Sequence, residues 1–128
     1  MNEKIKYWVN IAKYDIISAE TMFKGRRYLY VGFMCHQTIE KILKAYYVKV
    51  NSSVPPFTHN LVHLAEKSGM YEKFSENQKG LIDLLRPLNI EARYPAYKER
   101  LIKELNKRKC REILRLTKEL FKWIEKQL

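Results

Sequence analysis

His36, Glu40 and Lys44 fall at every fourth position of the run Phe33-Met-Cys-His-Gln-Thr-Ile-Glu-Lys-Ile-Leu-Lys-Ala45. On a helix this spacing stacks an imidazole, a carboxylate and an ammonium along one face, framed by Phe33 and Tyr47. That face adjoins an apolar stripe of Tyr28, Gly32, Cys35, Ile39, Leu43 and Tyr46, so its polar groups are pressed toward burial. A second segment sets Trp8, Ala12, Asp15, Ala19 and Met22 nearly in line at helical spacing, with a carboxylate in mid-stripe. A buried carboxylate needs a partner, and Lys44 or His36 is placed to supply it. The pair of faces reads as a structural ion-pair network or as the wall of a ligand site, with the structural reading favoured.

Other chemistry-bearing residues are weaker signals. His59 and His63 stand four apart, a spacing zinc sites use, but Asn60 occupies the place of the Glu in a His-Glu-x-x-His motif and no further ligand is evident. No metal is expected; His59 is expected to anchor a helix start in the core and His63 to be partly exposed. Cys35 and Cys110 lie within helical patterns and read as small core residues in a reducing compartment. No Gly-rich loop, Walker lysine or acidic magnesium cluster is present, which excludes a glycine-loop NTPase, and no cofactor is expected.

The chain is strongly basic, with 25 Lys and Arg against 14 Asp and Glu, a net +11. Residues 98–128 hold eleven Lys or Arg and five Glu, so this quarter carries +6. Lys107, Arg111, Arg115, Lys118, Lys122 and Lys126 recur by threes and fours as a stripe off the apolar face. It reads as a track for phosphates or as a solvated face softened by pairs such as Glu104/Arg108 and Glu119/Lys122, the latter being slightly favoured. Leu116 and Trp123 lie off the main stripe, where they either widen the core or form an interface.

The elements that position these residues are helical. The 128 residues suit one domain, the 46% hydrophobic fraction supports a core, and four Gly and four Pro leave little material for β-turns. The first helix is expected from Glu3 to Lys24, stopped by Gly25, and the second from Tyr28 to Val50, antiparallel to it. After the loop containing Pro55 and Pro56, Thr58 is expected to cap a short helix through Lys67, closed by Gly69. Ser75 and Gln78 form a capping-box pattern before Leu81, Leu84, Leu85 and Leu88, and Pro87 should interrupt that helix. Residues 91–97 are expected as a structured loop or helix end, and a last helix runs from Glu104 to Lys126 with Cys110, Ile113, Leu114, Thr117, Leu120, Phe121, Ile124 and Leu128 inward. No stretch is apolar enough to span a membrane and no signal core follows Met1, so a cytoplasmic protein is expected.

Several of these elements, in this order, resemble the HEPN domain family. They are Trp8, Ala12, Asp15 and Ala19; the Phe33/His36-Gln37/Glu40-Lys41/Lys44-Ala45 block; Thr58-His59 with Leu61 and Leu64; and Glu91-Ala92-Arg93-Tyr94-Pro95. The resemblance implies an all-α, antiparallel up-and-down bundle of four to five helices in a single domain over residues 1–128, usually a homodimer. It also implies an interaction module, often the partner of a minimal nucleotidyltransferase in a toxin–antitoxin-like or accessory role. A polar groove would bind nucleotide or RNA: Lys41, Lys44 and Arg93 would hold phosphate, Tyr94 would contact a base or ribose, and His36, Gln37 and Glu40 would supply hydrogen bonds. Active members of the family are metal-independent endoribonucleases with an Arg, four to six residues and a His. Here the permitted positions hold Lys98, Glu99 and Arg100 after Arg93, and Glu91, Ala92 and Arg93 after Arg86. No His follows His63, so no catalytic residue is assigned. The alternative is a ribonuclease using a non-standard His36/Arg93 arrangement.

Overall fold

The two longest helices set the frame, and each begins and ends where local chemistry dictates. In the computed structural model, which describes residues 2–90 and 94–128, α1 spans Glu3–Lys24 and α2 spans Tyr28–Asn51. The Asn2 side chain accepts a hydrogen bond from the Ile5 amide at 2.9 Å and so caps α1. Arg26 holds a left-handed φ of 59° in the turn after Gly25, and the Arg27 amide donates to the Met22 carbonyl at 2.8 Å. So tight a turn lays α2 back along α1.

The remaining helices are α3 (Leu61–Lys67), α4 (Glu76–Leu85), α5 (Pro95–Glu104) and α6 (Lys107–Glu125), with single 3-10 turns at Tyr71–Lys73 and Arg86–Leu88. The described residues thus form an all-α bundle. The expected capping box is present, with the Ser75 hydroxyl accepting from the Gln78 amide and the Gln78 side chain accepting from the Ser75 amide. Pro87 ends α4 in the second 3-10 turn, as its missing N–H requires.

Two expectations are corrected. The cap of α3 is Asn60, whose side chain accepts from the His63 amide at 3.1 Å; the Thr58 hydroxyl accepts from Asn60 instead, so the helix starts at Leu61. The last helix, expected from Glu104, is α6 and begins at Lys107, and a separate helix, α5, precedes it where a loop or helix end was expected. Pro95 at a first-turn position opens α5, Leu105 leaves helical geometry, and the Asn106 side chain caps α6 by accepting from the Lys109 amide. The short polar side chain of Asn106 competes for backbone donors and so starts α6 at Lys107, three residues after Glu104.

α2 is the central element, packed by α1 on one side and α6 on another, with α3, α4 and α5 closing over the rest. Its buried side includes Val31, Cys35, Ile39, Ile42, Leu43 and Tyr46, which meet Ala12, Ile16 and Ala19 of α1 and Ile113, Leu120 and Ile124 of α6 in one core. Gly32 allows close approach here: a Cβ at that position would lie 3.0 Å from Leu88 and 3.4 Å from Leu105. Among the described residues no helix is long and apolar enough to cross a membrane.

Candidate functional site

The polar face of α2 closes into a charged network around Glu40, which is 1% exposed. Lys44 Nζ donates to Glu40 Oε2 at 3.2 Å, Lys41 Nζ stands 3.6 Å from the same oxygen, and His59 Nδ1 is hydrogen-bonded to Oε1 across 2.8 Å. Lys41 also donates to Gln37 Oε1 at 2.6 Å and approaches Asp15 Oδ2 at 3.9 Å. Lys44 lies over the Trp8 ring, 5.3 Å from its centroid. The carboxylate of α1 is therefore met by Lys41, not by Lys44 or His36 as the sequence suggested. Lys44 stands one turn from Glu40 and is held there, whereas Lys41 reaches across to α1.

Burial sets the protonation of each group. It pushes Glu40 upward, but the His59 hydrogen bond and the charges of Lys44 and Lys41 outweigh it and hold Glu40 below its ordinary value. Asp15 is raised, because burial exceeds the pull of Lys41 and the Glu40 charge adds to it. His36 is 1% exposed and burial drives it down to about 4, against the attraction of Glu40. It is a neutral imidazole at pH 7, and its Nδ1 has no hydrogen-bond partner among the described residues. Cys35 and Cys110 are buried and raised by burial to about 12 and about 11, which leaves both as inert thiols.

Where the network reaches the surface it adjoins a cleft. His59 has 58% of its side chain exposed, which corrects the expectation of a core anchor: only its Nδ1 turns inward, to Glu40. The cleft, of about 590 Å³, is lined by His59, Asn60, Leu61, Asp83, Arg86, Pro87 and Asn89. The Asn89 side chain is 9% exposed and its Oδ1 has no partner among the described residues. Arg86 leans toward Asp83 at 3.8 Å with half its surface open. Sequence reasoning missed Asp83, Arg86 and Asn89; the only local sign was Pro87, whose 3-10 turn brings them to the rim. His63 is half-buried, as expected. Tyr94 is 83% exposed at the cap of α5, and Arg93 lies outside the described residues.

The family profile of the HEPN domain matches residues 5–127 of the 128. The chain belongs to the HEPN family. In structure this HEPN chain is similar to TT1696 from Thermus thermophilus, known from a crystal structure, with a TM-score of 0.84 over 99% of this chain and 100% of that one at 17% identity. At that identity the likeness speaks for the fold. No curated protein matches the sequence.

The basic stripe of this HEPN chain divides in the structure. Arg115 is clamped between Glu112 at 2.5 Å and Glu119 at 3.0 Å, and Lys118 pairs with Glu20 of α1 at 3.0 Å. Lys107, Arg111, Lys122 and Lys126 are exposed and have no acidic partner within 4.0 Å among the described residues. The softening pairs of the sequence reading do not form within that distance: Glu104 and Arg108 fall on opposite sides of the Leu105–Asn106 break, and Glu119 turns to Arg115. Leu116 and Trp123 are half-buried against the core, with the Trp123 ring tilted against Phe74 at 5.9 Å. They also line a shallow cleft of about 420 Å³.

Proposed function

We propose that this HEPN chain is an interaction and binding module: the partner of a minimal nucleotidyltransferase in a toxin–antitoxin-like or accessory role, with a polar cleft that takes a nucleotide or the end of an RNA. The observation that carries the binding reading is the cleft beside His59. Arg86 offers a guanidinium fork for phosphate, Asn60, whose side-chain oxygen caps α3, offers its amide N–H, and Asn89 Oδ1 is a buried acceptor in want of a donor. His59 joins the cleft to Glu40, so a ligand touching His59 would be felt by the buried network. Lys41 and Lys44 take a different part from the one first expected of them, since both are engaged with carboxylates. They hold Glu40, to which His59 is bonded, and leave phosphate contact to Arg86.

Membership of the HEPN family supports the partner role, and a homodimer with Leu116 and Trp123 at its interface belongs to the same proposal. The ribonuclease alternative draws less support, because His36 is sealed from solvent and stays neutral down to about pH 4.

Calorimetric titration of AMP and of a short RNA into the wild type and Arg86→Ala tests the cleft. We expect binding by the wild type and a loss of about tenfold in Arg86→Ala, in line with removal of one charge-assisted hydrogen bond. Equal affinity of the two proteins for AMP, or no AMP binding by either, overturns the reading. A nucleotidyltransferase that co-purifies in stoichiometric amount through a high-salt wash supports the partner role, and its absence from the bound fraction counts against it.

A further inference from the structure

The first turn of α6 packs against the α1–α2 turn, and this contact gathers cations that are far apart in sequence. Cys110 Sγ donates to the Tyr28 carbonyl at 3.6 Å, and the Arg111 guanidinium lies 5.7 Å over the Phe23 ring. Lys24, Arg26 and Arg27 of the turn therefore share one pole of the bundle with Lys107, Arg108 and Arg111. All six are exposed, and none has an acidic group within 4.0 Å among the described residues. Of the neighbouring acids, Glu20 is engaged by Lys118 and Glu112 by Arg115, while Glu104, exposed at the end of α5, has no cation within 4.0 Å among the described residues.

This arrangement runs against local stability in two independent ways. Lys107, Arg108 and Lys109 fill the first turn of α6 with no acidic residue, although the positive end of a helix dipole disfavours cations. Arg26 adopts the left-handed φ that Gly or Asn takes at less cost, while Gly25 beside it has an ordinary negative φ. Local rules broken together at one surface point to a function that uses the charge.

We propose that this pole binds the sugar–phosphate backbone of single-stranded RNA, as a site separate from the cleft. The inference rests on the nucleic-acid reading above for its ligand class only. Four of the six cations are Arg, whose planar fork suits phosphate oxygens, and Tyr30, in the first turn of α2 and 48% exposed, supplies a ring on which a base can stack. An anionic membrane would want exposed aliphatic side chains to insert around such a patch, and beside the α1–α2 turn the exposed large apolar residue is this tyrosine.

The test is the salt dependence of binding of a labelled oligouridine, about 16 nucleotides long to cover a full single-strand site. Six contacts predict a slope of log affinity against log salt near −4, at roughly −0.7 per contact. Arg26→Gln/Arg27→Gln/Arg108→Gln should reduce that slope by about 2 and weaken binding at least tenfold at about 100 mM salt. Lys4→Gln/Lys122→Gln/Lys126→Gln removes the same charge from the other end of the bundle and should stay within about twofold of wild type on that scale. The single variant Arg108→Gln, at an exposed position, should lower the slope by about 0.7 and guards against a misfolded triple variant. Equal losses in the two triple variants, or none in either, overturn the proposal. So does a pole variant that loses phosphatidylserine vesicles yet keeps oligouridine. AMP titration with Arg86→Ala reads the cleft independently, so failure of one site is distinguished from failure of the other.

Discussion

Glu40 is the residue on which the buried polar face depends, because it faces three cationic or potentially cationic groups, two from its own helix and one from the loop before α3. Glu40→Gln leaves Lys41 and Lys44 without their main counter-charge, and urea unfolding should show a loss of about 3 kcal/mol. The pH dependence follows from the shifts. His36 is lowered from 6.5 to about 4, so the unfolded chain binds its proton first; the stability it contributes is complete above about pH 6.5 and is lost as pH falls toward 4. On the order of 3 kcal/mol is at stake at about 1.4 kcal/mol per unit. Glu40, also lowered, extends the loss further into acid. Asp15, being raised, works in the opposite sense: its contribution is present at low pH and declines as pH rises past 3.8. Melting temperature should therefore fall between pH 6.5 and 4, and His36→Gln should flatten that fall. The four-residue spacing of His36, Glu40 and Lys44 was legible in the sequence, as was the need of Asp15 for a partner. Which lysine would answer it was not, because Lys41 and Lys44 sit one turn apart and side-chain reach across the helix pair decides. Nor could Arg86 and Asn89 be foreseen, since only the folded path of the chain carries them to His59.

At the scale of elements, signals that rest on backbone chemistry were the most readable: the limits of α1, the capping box of α4 and the interruption at Pro87 all appear where the residues place them. α5 was obscured because Tyr94 before Pro95 is biased away from helical geometry, so residues 91–97 read as a loop or helix end, while Asn106, which sets the start of α6, acts through a single side-chain cap. Two glycines make opposite predictions. Gly80 lies within α4 with nothing within 4 Å of a Cβ, so Gly80→Ala should stabilise by about 1 kcal/mol and raise the melting temperature by about 3–5 °C. Gly69 has φ +78°, and Gly69→Ala should destabilise by about 1 kcal/mol despite the open space around it. A thermal melt of the two variants side by side checks both signs.

For the molecule as a whole, the net charge of +11 on 128 residues sets a background of self-repulsion. Screening should relieve it, so the melting temperature should rise as salt increases from about 10 to 150 mM, where the Debye length shrinks from about 30 to 8 Å. The Glu40 network is buried and will respond little, so a fall in stability with salt would mean that surface pairs such as Arg115 with Glu112 dominate instead. The break at Leu105–Asn106 has a further consequence for how the bundle comes apart. Of the ten residues of α5, Leu101 is the one fully buried, whereas α2 buries side chains along its whole length. Joined to α6 by a cap and not by continuous helix, α5 can detach without unwinding its neighbour, and its amides should exchange with deuterium through a local opening well below the free energy that releases those of α2.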